Sequence, residues 1–391
     1  MAMVKDPQSL RDYGNRKKRS RRRKVFIFTL LLFVLVIVGV IYLVKLFNRT
    51  YHNYEVASSE PNTEENIVGY LEYNSSMVRY SKDGAVAYDK KGSLLWNGAY
   101  EMQDPIADTC GKYVVVADRG SKAVFIYNSK GEAGRFNTEF DIMNVEVASK
   151  GVVAVQMLEG DMSYVWLYYL DGSVVAENGY HINNDGYVMD SALSEDGKKL
   201  AVVLMSVNRG KLISQIGFYN YGEVGQNIKN RYAGGFALDQ EEVVVPEIVF
   251  LDNDTVCAYK DNGFILFSMP ELPTVILDKT VDNVIKSVLH NSKYTGLVLE
   301  GANESKQLLL YDLKGNNVLD QQLDLDYKEI YISGDEIILY DNLTCQILKA
   351  SGKEKFRYTF TTNISAMFPI NHLDRYILVS AEEIAEIKLL E

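Results

Sequence analysis

Two kinds of hydrophobic pattern divide this chain. The first is one unbroken apolar run, Val25–Val44, twenty residues without a charge. At 1.5 Å per residue such a run spans about 30 Å as a helix, the thickness of a bilayer's hydrocarbon core. Backbone polar groups in lipid must pair within the segment, so a helix is the conformation predicted for it. The second pattern starts near Ile67 and lasts to the end of the chain. There no 3.6-residue period survives; short apolar runs alternate with turn residues every eight to twelve positions, which is the pattern of an all-β domain.

Within that second region one element recurs. A dense apolar run, expected of a strand buried on both faces, occurs at Met77-Val78, Val114–Ala117, Val152–Val155, Ala201–Leu204, Thr255–Ala258, Gly296–Leu299, Ile337–Leu339 and Tyr376–Val379. That makes eight copies, the first being the weakest. After a short polar loop a second strand follows, ending in an aromatic residue and a turn, as in Ala87-Tyr88-Asp89, Phe125–Asn128, Gly217–Asn220 and Leu310–Asp312. Glycine falls just beyond, at Gly92, Gly131, Gly172, Gly222, Gly315 and Gly352. Asp or Asn followed three residues later by Gly suits a tight turn, because the first bonds its own backbone and the second accepts positive φ. A third, poorer strand comes next, as in Ser93–Trp96 and Lys355–Tyr358.

The aromatics Tyr88, Tyr127, Tyr169, Tyr219, Phe267 and Tyr311 stand 39, 42, 50, 48 and 44 residues apart. A period in the forties with about four strands per unit predicts a β-propeller. Eight four-stranded blades fit best and seven are the alternative; a pair of β-sandwiches would show no such period. The last unit lacks its outermost strand, and the cost of an open edge predicts that a strand from near residues 54–73 closes the ring. The predicted organisation is a basic tail (1–24), a transmembrane signal-anchor helix (25–47), a linker (48–66) and the propeller (67–391). The linker is assigned because residues 50–66 are polar, aperiodic and contain Pro61.

Charge decides orientation. Residues 1–50 hold twelve Lys/Arg against Asp6 and Asp12, a net +10, so the other 341 residues carry −21 of the overall −11. Eight of the nine residues Arg16–Lys24 are basic, whereas only Lys45 and Arg49 follow the apolar run. The positive-inside rule then keeps the N-terminus in the cytoplasm and translocates the rest, a single-pass arrangement in the cell membrane. A cleaved signal peptide has a shorter apolar core and a small-residue cleavage site, and Ala57-Ser58-Ser59 is a weak one. The basic run beside the helix reads as a topology signal that also touches anionic lipid. A domain this acidic repels phosphates, which excludes a nucleic-acid partner.

Ala87-Tyr88-Asp89-Lys90-Lys91-Gly92-Ser93-Leu94-Leu95-Trp96 resembles the repeat of pyrroloquinoline-quinone-enzyme-like propellers, roughly A-x-D-x-x-T-G-x-x-x-W. This copy lacks the Thr and is one residue short, and the other blades keep only the Asp/Asn-x-x-Gly core. The resemblance implies the blade architecture and not the cofactor. The layout of basic tail, anchor and eight units also resembles an uncharacterised family of bacterial membrane-anchored propellers.

Candidate chemistry is sparse, and no catalytic, cofactor-binding or metal-ligating residue is assigned. His52, His181, His290 and His372 show no HExxH spacing, and neither a Walker A loop nor a G-x-S-x-G elbow is present. Cys110, Cys257 and Cys345 fit neither a disulfide framework nor a zinc spacing and read as small core residues. Asn183-Asn184-Asp185-Gly186 with Asp190 lacks the alternation and bidentate Glu of a calcium loop and reads as a turn. Leu251-Asp252-Asn253-Asp254-Thr255 reads as a hairpin connection. Tyr221–Val243, containing Asn230–Phe236, is the longest irregular connection and so the place to look for binding. The 27 tyrosines suit strand ends, where a ring and a wet hydroxyl both fit, better than a carbohydrate platform. These features favour a tethered, non-enzymatic scaffold whose partner is an extracytoplasmic protein or cell-wall component. The alternatives are a propeller enzyme, either a quinone-dependent dehydrogenase or a wall hydrolase, and an extracytoplasmic sensor.

Overall fold

A computed structural model describes residues 7–62, 66–238 and 242–391 of the chain. They fall into two units, divided between Thr50 and Tyr51. The first unit contributes one helix, Pro7–Phe47. Within it Phe26–Leu46, 21 residues, is long and apolar enough to cross a membrane. Its described apolar side chains from Phe26 to Val44 are exposed. The helix starts well before the apolar span and carries the basic run Arg16–Lys24 as its own N-terminal turns.

The second unit is an eight-bladed propeller of 32 strands in eight four-stranded antiparallel sheets. Blades 1 to 7 are continuous in sequence, each beginning at its innermost strand: Ile67–Tyr73, Pro105–Cys110, Asp141–Val147, Tyr187–Leu193, Glu247–Phe250, Val284–His290 and Glu329–Ser333. Blade 8 runs Ile364–Pro369, Arg375–Ser380 and Glu383–Leu390, and takes its outermost strand, Asn53–Pro61, from the other end of the chain. The dense apolar runs are the second strands of the blades. They are buried on both faces because each sheet lies between two neighbours, as in Tyr113–Asp118, buried throughout.

One apolar layer fills each gap between neighbouring blades. Val114, Val116 and Tyr127 of blade 2 pack on Val78, Ala87 and Trp96 of blade 1. The last layer joins Met77 and Val86 of blade 1 to Phe368, Ile377 and Ile384 of blade 8, so the ring closes. The Asp-x-x-Gly turns take the predicted form. Asp89 Oδ1 accepts the N–H groups of Lys91 and Ser93 at 2.8 and 2.9 Å, and Gly92 sits at φ 81°. Asp312 does the same for Lys314 and Asn316.

The assignment of residues 48–66 to a linker is corrected for most of its length. Asn53–Pro61 pairs with Glu383–Leu390 over eight residue pairs, and Tyr51 is buried between blades 7 and 8 with its N–H on the Lys355 carbonyl at 2.8 Å. Residues 63–65 lie outside the described residues. The strand escapes detection as a strand because an outermost strand needs no apolar face: only two of its nine residues are even half-buried. The predicted closure of the last unit by an N-terminal strand holds, as does the blade number of eight.

Candidate functional site

Two places bring polar side chains together on this frame: the wall of the central channel, and a cleft at the rim between blades 3 and 4.

The innermost strands of successive blades lie side by side around the ring. On three of them a carboxylate at or past the middle of a largely apolar strand reaches the next blade. Asp108 Oδ2 accepts the Val147 N–H at 2.8 Å, Glu146 Oε2 the Leu193 N–H at 2.7 Å, and Asp190 Oδ2 the Ile248 N–H at 2.9 Å. The chain of contacts continues to blade 6, where Glu247 faces His290 Nε2 at 3.5 Å. A channel wall reconciles two properties of these groups: they are partly open to solvent, yet surrounded by protein. Burial pushes the Asp190 carboxyl up to about 6, against the pull of the Ile248 and Ser191 N–H groups. Burial, then the charges of Asp108 and Asp190, push Glu146 well above the usual carboxylate range. Burial also raises Asp108. The arrangement staples blades 2 to 5 together, and among the described residues no group of three or more acids, histidines or cysteines is placed to hold a metal ion.

The rim cleft has a volume of about 600 Å³. One wall is the outermost strand of blade 3, of which six consecutive residues, Val175–Tyr180, line it. The other wall is blade 4: Tyr219, Tyr221 and the segment Asn230-Arg231-Tyr232. That segment leads through two short 3-10 turns, Val224–Asn227 and Lys229–Arg231, into the outermost strand Tyr232–Leu238. Asn230 and Arg231 hold φ of 54° and 59°, a region that side-chain-bearing residues rarely occupy. The Asn178 amide donates to the Tyr221 hydroxyl at 2.5 Å and ties the walls together. Tyr219 stacks on Tyr221 at 6.5 Å and meets Tyr232 edge to face at 5.5 Å. The Arg231 Nη1 atom is buried without a hydrogen-bond partner among the described residues, and the Tyr180 hydroxyl, beside Tyr219, has none of normal geometry.

The irregular stretch Tyr221–Val243 thus supplies one wall of this cleft, residues 239–241 lying outside the described residues. Its partner strand carries no comparable signal, since Val174–His181 reads as an ordinary outer strand. The channel acids left a faint signal: a lone carboxylate inside an apolar stretch, as in Ile106-Ala107-Asp108 and Asn144-Val145-Glu146-Val147. The remaining singled-out residues are scattered. His181 meets Asp161 at 3.1 Å and His372 meets Glu336 at 3.5 Å, while Asp185 and Asp252 serve turns by accepting backbone N–H groups. Cys257 and Cys345 are buried thiols, Cys110 is half-buried, and all three are free.

Three comparisons bear on this architecture. The family model described as "Family of unknown function (DUF5711)" matches residues 47–389. A search of curated proteins found no match to the chain. Among solved structures the chain is similar to BamB from Moraxella catarrhalis, at 13% identity and a TM-score of 0.54, covering 86% of this chain and 100% of that one. It is also similar to a eukaryotic initiation factor, at 14% identity and 0.52, covering 86% and 87%. The WD40 domain of SCAP from fission yeast matches at 10% and 0.51, covering 87% and 98%. At such identities the likeness is one of fold.

Proposed function

The chain belongs to DUF5711, a family of unknown function, and from that premise we propose that it is a membrane-tethered extracytoplasmic propeller. In this reading it is a non-enzymatic scaffold that binds an envelope protein or cell-wall component at its rim cleft. The observation that carries the reading is the partition of the chain. A basic run abuts an apolar helix on one side only, and a domain of net −21 follows. The helix holds the protein at a lipid bilayer with its N-terminus in the cytoplasm. The propeller supplies a rigid frame, and the cleft walls supply aromatic and polar groups that it leaves free.

Crosslinking in intact cells, followed by membrane fractionation and mass spectrometry, tests this reading. The expected result is full-length chain in the membrane fraction with one reproducible extracytoplasmic partner. Recovery of the intact chain in the soluble fraction, or turnover of a wall substrate by the purified protein, contradicts it.

A further inference from the structure

Backbone geometry places the rim cleft relative to the strand that forms its wall. Side chains of a strand alternate between its two faces. In the outermost strand of blade 3, Ala176 and Asn178 face blade 4, because their pairing partners Leu167 and Val165 pack in the layer between blades 3 and 4. Tyr180 is buried in that same layer. Glu177 and Gly179 pair with Trp166 and Tyr164, which pack in the layer toward blade 2, so these two point the other way. All of Ala176 to Tyr180 nonetheless line the cleft. A cavity touched by both sets of residues lies along the strand's edge, and blade 3 ends at this strand. The edge of a terminal strand presents unpaired N–H and C=O groups, ready to pair with another extended chain. No lysine or proline guards it: Val174–His181 reads VVAENGYH.

The opposite wall adds a charge. Arg231 lines the wall across from this edge, with one guanidinium nitrogen unpartnered among the described residues, and a guanidinium there would take a carboxylate in a charge-assisted hydrogen bond. Glu177, the acid on the strand itself, projects to the other face. We propose that the outer edge of blade 3 binds an extended peptide as a fifth strand, with an Asp or Glu side chain of that peptide on Arg231. The volume of about 600 Å³ admits a segment of only a few residues. This inference rests on the scaffold reading and narrows its partner to a protein segment rather than a glycan.

The test uses the full-length protein in detergent micelles and a phage-displayed library of random heptapeptides. The expected outcome is enrichment of extended, acid-containing peptides. Their binding protects backbone amides of residues 175–179 from hydrogen exchange. N-methylation of alternate peptide amides abolishes binding, and Arg231→Ala weakens it about tenfold or more, with partial recovery in Arg231→Lys. Thermal unfolding of each variant checks that its propeller is intact. Enrichment of no peptide, binding that leaves residues 175–179 unprotected, or equal affinity for Arg231→Ala overturns the proposal. So does protection of the same amides by chitin oligosaccharides alone, which would assign the cleft to a sugar. Because binding is read on purified protein, its failure is distinct from a failure of the membrane arrangement.

Discussion

Replacing Asp190 by Asn should raise stability at neutral pH and leave it nearly unchanged in acid. The folded state holds the Asp190 carboxyl at about 6 against an ordinary 3.8, through burial first. Between those values the folded protein binds more protons than the unfolded chain, so the stability contributed by this group is complete below pH 3.8. It is lost as pH rises through about 6. A shift of this size corresponds to about 3 kcal/mol of unfavourable free energy at pH 7.5 relative to pH 3.5. The amide introduced by Asp190→Asn would keep an oxygen for the Ile248 N–H, now 2.9 Å from Asp190 Oδ2, but would lose the charge that strengthens the bond, about 1 kcal/mol. The net expectation is a gain of about 1–2 kcal/mol at pH 7.5 and almost none at pH 4. Urea unfolding of the full chain in detergent, followed by the fluorescence of its two tryptophans, reads both values. A variant destabilised equally at both pH values would refute the channel-wall account of this carboxyl.

Further expectations follow from the packing. Glu336→Gln should cost about 3–5 kcal/mol, because fully buried Glu336 accepts from Lys355 and Lys349 at 2.5 and 2.9 Å and from the Tyr376 hydroxyl at 2.6 Å. Loss of that anion leaves the buried lysine uncompensated, and denaturant midpoints will show it. The pH dependence of this group runs opposite to that of Asp190. The hydrogen bond from His372 and the charges of Lys355 and Lys349 overcome burial and hold Glu336 at about 2, so its stabilisation is present above 4.5 and lost as pH falls toward 2. Tyr51→Ala should cost about 3–5 kcal/mol by emptying the seam between blades 7 and 8, and deleting residues 53–61 should abolish the propeller's cooperative unfolding transition in detergent. A maleimide at pH 7.5 should label all three thiols only after denaturation, since Cys257 and Cys345 are buried and burial pushes the Cys110 thiol up to about 12.

What the sequence makes legible depends on which face of a strand must be apolar. Second strands such as Tyr113–Asp118 are sandwiched between neighbouring blades, so their two-sided apolar runs stand out and count the blades. Outermost strands need no apolar face, and Asn53–Pro61, with two half-buried positions and none buried, passes for a linker. Its role surfaces only through the missing strand of blade 8. The channel acids are barely legible for another reason. Asp108, Glu146 and Asp190 act on backbone N–H groups 39, 47 and 58 residues away, on the next blade, and no local pattern encodes that reach. Of the cleft, the irregular wall around Asn230-Arg231 is visible as an interruption of the repeat. The strand opposite is not, because an available edge is a property of sheet order rather than of residue type.

The central claim is that the acidic propeller stands on the far side of the membrane from the basic N-terminus. Labelling of a cysteine appended after Glu391 by a membrane-impermeant maleimide tests it most directly. Labelling in intact spheroplasts, unchanged by lysis, is the predicted result. Labelling only after lysis would contradict it.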